Sequence, residues 1–261
     1  MVSSNKTPNP ADVLERGETQ RKTPQPIMNV IRPNCRTQFM PQDLDFIQAV
    51  LDPHRRVNNC LIKLFADPDT RDVVLDSDKL YQALLDSPEC VNVSSRFYFY
   101  ILVRHMLRKE DLDDRNLADY VAELLTEFSS AQRVRRPIET DTRPMDYLVD
   151  MLEALQTVDE EKQFLIRTHM GNHSLFLTGL FPGHVEFRTQ YKAAPRVEYY
   201  ESLGSTSYRV ASHHHLAREY NLHSLFEILA SFFHSIRLAL NRLAEEILCL
   251  EPQYCPLLIR V

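Results

Sequence analysis

His169 and His173 stand four residues apart, so on a helix both imidazoles project from one face. Such a pair could hold one metal ion or work as an acid–base couple. Asn172, Tyr200, Tyr208 and His214 complete the candidate wall of a ligand pocket. Neither a metal nor a cofactor is expected, and His169 with His173 is the alternative metal pair. The region is unusual for this chain. Eight of the ten histidines fall between His169 and His234, and four of the five glycines, Gly171, Gly179, Gly183 and Gly204, fall between positions 171 and 204. His213, His214 and His215 are consecutive; helical geometry fans them around the axis, so at most one or two can join the pair. Along the last predicted helix His223, Glu227, His234, Asn241 and Glu245 form a stripe opposite the apolar one, as a solvated face does. The competing reading of the glycines is close packing. Gly171 and Gly179 lie inside a predicted helix, where each costs about 1 kcal/mol relative to alanine. Gly204, Ser207 and Ala211 continue the small-residue strip on the next helix.

Spacing excludes several chemistries. No histidine follows a glutamate by three positions, so the helical Glu-x-x-His ligands of a di-iron bundle are missing. No histidine precedes an aspartate, and no His-Glu-x-x-His motif occurs. Gly-x-Gly-x-x-Gly, the phosphate loop and the Gly-x-Ser-x-Gly elbow are also absent. Cys35, Cys60, Cys90, Cys249 and Cys255 are odd in number with no C-x-x-C spacing, which predicts free thiols in a reducing compartment.

Charge narrows the partners. Thirty Lys and Arg face thirty-six Asp and Glu, a net −6. Arg104, Arg108, Lys109, Arg133, Arg135 and Arg136 could form a local basic patch, but acids surround it, so nucleic-acid binding is not expected. The longest apolar run, 97–103, falls far short of the ~20 residues that span a bilayer. No apolar export segment follows Met1, and the cytoplasm is the expected location.

The elements that must position these residues are helices. Residues 1–40 read as a flexible or extended tail with Pro8, Pro10, Pro24, Pro26 and Pro33. Residues 41–255 read as one large all-α, multi-helix bundle, with a possible subdivision near 131–143. The aromatic and β-branched run 97–103 has strand propensity, but no second strand exists to pair with it, so it reads as a buried helix. Ser94 or Ser95 offers a cap before it, and Asp113 or Asp114 caps the stripe of Leu117, Tyr120, Val121, Leu124, Leu125 and Phe128. Thr157 with Glu160 fits a capping box for a helix to about Phe181. Residues 182–194 read as a loop. Pro195 opens a helix to about Arg218, and a final helix runs from about Leu222 to Leu250.

The blocks 171–182 (GNHSLFLTGLFP) and 199–208 (YYESLGSTSY), with the upstream stretch 117–125 (LADYVAELL), resemble a family of bacterial proteins without assigned activity. The resemblance runs in outline over residues 41–245 and implies a helical fold and no reaction. Asn172 stands where that family is expected to carry an acid, which weakens a carboxylate ligand there. The residues together point to a helical binding or scaffold protein of the bacterial cytoplasm, with a homodimer as one possible state. The alternative is an enzyme, or a small-ligand or metal-binding protein, with its pocket among the last three helices.

Overall fold

The computed structural model describes residues 30–51, 67–86, 92–129, 131–135 and 148–248. Positions 1–29, most of the 131–143 stretch, and Cys60, Cys90, Cys249 and Cys255 lie outside these. Within the described residues the chain is all-helical, with no strand. No helix among them is long and apolar enough to cross a membrane.

The first half contributes α1 (Pro41–Leu51), α2 (Pro68–Leu75), α3 (Asp78–Asp86), α4 (Ser95–Lys109), α5 (Arg115–Phe128) and the short α6 (Ala131–Arg135). Side-chain oxygens start three of them by accepting otherwise orphaned backbone N–H groups. Asp67 accepts from Thr70 N at 3.0 Å, Ser94 from Phe97 N at 3.2 Å, and Asp114 from Asn116 N and Leu117 N at 2.8 and 2.9 Å. The run 97–103 is helical, and α4 packs lengthwise on α5.

The second half contributes α7 (Leu148–Ala154), α8 (Glu160–Leu180), α9 (Pro182–Lys192), α10 (Val197–Ser212), α11 (His215–Glu219), α12 (His223–Ser231) and α13 (Phe233–Arg242). From Thr168 to Leu180 every residue of α8 is buried. A helix enclosed on all sides shows little amphipathic pattern, and α8 is the axis on which α5, α7, α9, α10 and α13 pack. Its glycines serve that packing. A Cβ on Gly171 would stand 2.8 Å from the Tyr208 ring, and one on Gly179 2.8 Å from Leu240. On α10, a Cβ on Gly204 would meet Phe233 at 2.7 Å and Ser174 at 2.8 Å.

Four expectations need correction. Residues 182–194 are not a loop: Pro182 both ends α8 and opens α9, because a ring that cannot donate is tolerated in a first turn. The helix expected up to Arg218 stops at Ser212, and α11 follows. The final helix is not one rod. It breaks at Phe232, which turns outward at 47% exposure while Phe233 turns in against Gly204, and it ends in a π-helical turn, Leu243–Ile247. The predicted capping box is not formed either. Asp159 caps α8 by accepting from Lys162 N at 2.9 Å, while the Thr157 hydroxyl donates backward to Ala154 O at 3.2 Å.

Residues 30–40 run against the body, with Ile31 and Cys35 fully buried. Phe39 meets the Phe97 ring edge-on at 5.3 Å. Arg36 fastens the segment: its guanidinium donates to Asp72 at 2.9 and 3.0 Å, and its backbone N–H to Asp119 at 2.8 Å. The Cys35 thiol donates to Arg96 O at 3.3 Å, and burial first, then Asp119 and Glu123, push its pKa far up, so it stays protonated.

Candidate functional site

The centre of the 171–182 block is a buried knot of three side chains. Tyr120 of α5 and Tyr208 of α10 each donate a hydroxyl proton to Asn172 Oδ1 of α8 at 2.7 Å. Both tyrosines are fully buried and Asn172 is 3% exposed. Burial raises both phenol pKa values, with Tyr120 the next cause for Tyr208, so both stay donors. One amide oxygen with two lone pairs satisfies both donors. A carboxylate at 172 would place a charge in the same apolar surroundings. Gly171 makes the knot possible, because a side chain there would collide with the Tyr208 ring.

His169 and His173 are also buried, at 4% and 3% exposure, with ring centroids 6.3 Å apart. His169 Nε2 lies 2.9 Å from Val134 O; a carbonyl can only accept, so that nitrogen carries the proton. The ring also packs against Phe128 at 5.3 Å. Burial first, then His173 and Arg133, lower its pKa to about 3. Among the described residues the one group of three or more metal-ligating side chains is not built on this pair but on Glu160, His214 and His215.

The remaining predicted wall residues lie apart. Tyr200 is buried near the start of α10, about 12 Å along the axis from Tyr208, where its ring meets Tyr199 edge-on. His214 stands beyond the other end of α10. Its ring stacks on Phe164 at 5.1 Å, and its Nδ1 accepts from Leu216 N at 3.2 Å, so it caps α11. Burial first, and His215 next, lower its pKa.

The stripe expected to face solvent is divided. His234 is exposed and meets Glu201 at 2.9 Å. Asn241 turns inward, its amide donating to Thr178 O and Gly179 O at 2.8 Å each, which satisfies carbonyls at the end of α8. His223 Nδ1 bonds Ser212 O at 2.8 Å, and Glu227 accepts from the Ser212 hydroxyl. Of the six residues that could form a basic patch, Arg104 is buried on Asp76 and Arg133 pairs with Glu127 at 2.5 Å.

Nothing in the sequence marks Tyr120 as a partner of Asn172. Its place in the apolar stripe of α5 marked it as core, and only the packing of α5 on α8 brings the hydroxyl to Oδ1. Nor does the sequence mark the open concavity. A cleft of about 460 Å³ lies at the C-terminal end of α8, between α9, α10 and the end of α13. Glu186, Glu198 and Glu245 are exposed on its walls beside Arg237 and Asn241. Arg237 is held by Glu201 at 2.5 Å and Asn241 at 2.6 Å, whereas the three wall glutamates make no ion pair among the described residues. No family model, curated protein or solved structure matches the chain.

Enclosure of His169 sets a pH dependence. Its folded pKa lies below the unfolded value of about 6.5, so acid protonates the unfolded chain first. The sign follows: this contribution is complete above pH 6.5 and is lost as pH falls toward about 3. At about 1.4 kcal/mol per pH unit, lowering the pH from 6.5 to 5 removes about 2 kcal/mol. Urea denaturation of wild type and His169→Gln across that range checks it. The variant loses less stability on acidification, and equal losses in both chains contradict the assignment.

Proposed function

We propose that this chain is a helical binding protein without catalytic chemistry of its own, and that partners meet it at the cleft bounded by α8, α9, α10 and α13. The observation that carries the reading is how the chemically capable residues are used. Asn172, Tyr208 and Tyr120 satisfy one another inside the core, His169 holds the chain at Val134, and His214 caps a helix. Glu186, Glu198 and Glu245 instead stand exposed around a concave surface. Apart from Arg237, which Glu201 neutralises, the charges on its walls are negative, and such a cleft attracts the opposite sign. The partner in this reading carries positive charge, such as a basic peptide segment.

Fluorescence anisotropy of a labelled hexalysine peptide at low salt tests this. The wild-type chain binds it, and added salt weakens binding as screening grows. The triple variant Glu186→Gln, Glu198→Gln, Glu245→Gln binds at least about tenfold more weakly, a loss of about 1.4 kcal/mol. Equal binding by both chains removes the cleft from the proposal. A cytoplasmic location and a homodimer belong to the same reading; light scattering that returns one 30.5 kDa chain removes the dimer.

A further inference from the structure

Consecutive histidines on one helix point apart, but His214 and His215 do not share a helix. His214 is the extended residue before α11, at φ −69° and ψ 145°, and His215 is the first residue of that helix. The change of backbone conformation between them brings the rings to one side, with centroids 4.3 Å apart and planes tilted by 32°. Phe164, stacked beneath His214, fixes that ring. Glu160, in the first turn of α8, reaches the same place, and one ligand atom from each of the three residues lies within 4.8 Å of the other two. The His214 Nε2 atom is buried and has no hydrogen-bond partner of good geometry among the described residues, although the ring lies near the Glu160 backbone. A buried nitrogen so poorly satisfied, on a ring grouped with a carboxylate and a second imidazole, calls for an ion or a water.

We propose that Glu160, His214 and His215 form a binding site for a zinc-class divalent metal ion. Two imidazoles and one carboxylate suit such an ion, and three protein ligands leave a fourth position open to water or a further ligand. Ligand atoms on a tetrahedral zinc sit roughly 3.3–3.5 Å apart, given bonds of about 2.0–2.2 Å. Closure therefore needs a small movement, which Glu160 and His215 can make because both are exposed. Glu161, next to Glu160 in the chain, adds its negative charge at the His214 ring.

The site competes with the cap of α11. While Nδ1 accepts from Leu216 N–H, the neutral ring carries its proton on Nε2. Coordination through Nε2 moves that proton to Nδ1 and releases the Leu216 N–H. Metal binding and helix capping thus use the same imidazole in alternative tautomers.

Zinc chloride titrated calorimetrically into the full-length, tag-free, chelator-stripped protein tests the site. One ion binds per chain, the melting temperature rises with zinc, and the Leu216 amide resonance shifts. His215→Ala and Glu160→Gln each weaken binding at least about tenfold, the loss that removing even an outer-shell partner brings. His214→Asn separates metal binding from folding, since asparagine is a good cap. That variant keeps the wild-type melting temperature without zinc and loses the zinc-dependent rise. A wild-type chain that takes up no zinc overturns the site, and so does undiminished binding by all three variants.

Discussion

Replacing Asp76 by alanine is expected to destabilise the fold by about 3 kcal/mol, at the lower end of the range for breaking a buried ion pair. Asp76 closes α2. Its carboxylate takes both arms of the Arg104 guanidinium, at 2.8 and 3.0 Å, and accepts from Arg115 at 2.7 Å. Burial works against its charge, but the hydrogen bonds from Arg104 and Arg115 outweigh burial, so the carboxyl titrates below its usual range. Arg104 is only 2% exposed and would keep Asp113 alone, a residue 74% exposed. Its guanidinium would then stay largely buried with one solvated partner. Arg104→Met in the Asp76→Ala background should recover part of the loss, because an apolar side chain tolerates the site that an uncompensated charge does not. Urea denaturation of the two single variants and the double variant measures this. A loss under about 1 kcal/mol for Asp76→Ala, or no recovery in the double variant, would show that the pair holds nothing together.

Asn172→Leu is expected to cost about 1–3 kcal/mol while keeping side-chain volume nearly constant. The substitution removes the single acceptor that two fully buried tyrosine hydroxyls share, and each hydroxyl left without a partner costs about 1–3 kcal/mol. The two phenols lie within reach of each other, so one can donate to the other, and a single donor is left stranded. In the Asn172→Leu background Tyr120→Phe should change stability little, because one donor is stranded with or without the Tyr120 hydroxyl. In the wild-type background the same Tyr120→Phe change should destabilise, because there it removes a made bond. The disappearance of that penalty in the Asn172→Leu background is the diagnostic result. If Tyr120→Phe destabilises both backgrounds equally, the knot is not what fastens α5, α8 and α10 together.

Much of the architecture was legible because it is local. Ser94 and Asp114 cap their helices as their side chains allow, and the stripe of Leu117, Val121, Leu124 and Phe128 marks α5 as a core helix. The 97–103 run has strand-forming residues yet lies in α4, because strand propensity means nothing without a paired neighbour. The misread elements were those where two local signals coincide. Pro182 carries both a stop and a start, and residues 157–160 hold two oxygen-bearing residues able to cap, of which Asp159 is the one used.

The candidate site was less legible. Asn172 and Tyr208 were named together and do meet, but Tyr120, 52 positions upstream of Asn172, was not. His169 and His173 share a face as their spacing requires, yet that face is turned into the core. His214 was placed in the wall with them; it lies instead over Phe164, among Glu160 and His215.

Composition, helical periodicity and capping residues, acting over a few positions each, determined by themselves that this protein is a bundle of helices and where glycine thins one of them. Tertiary structure alone decided which polar side chains are sealed inside and which line an open cleft. A hydroxyl, an amide or an imidazole has no fixed role until packing settles whether water, a backbone carbonyl or another side chain stands opposite it.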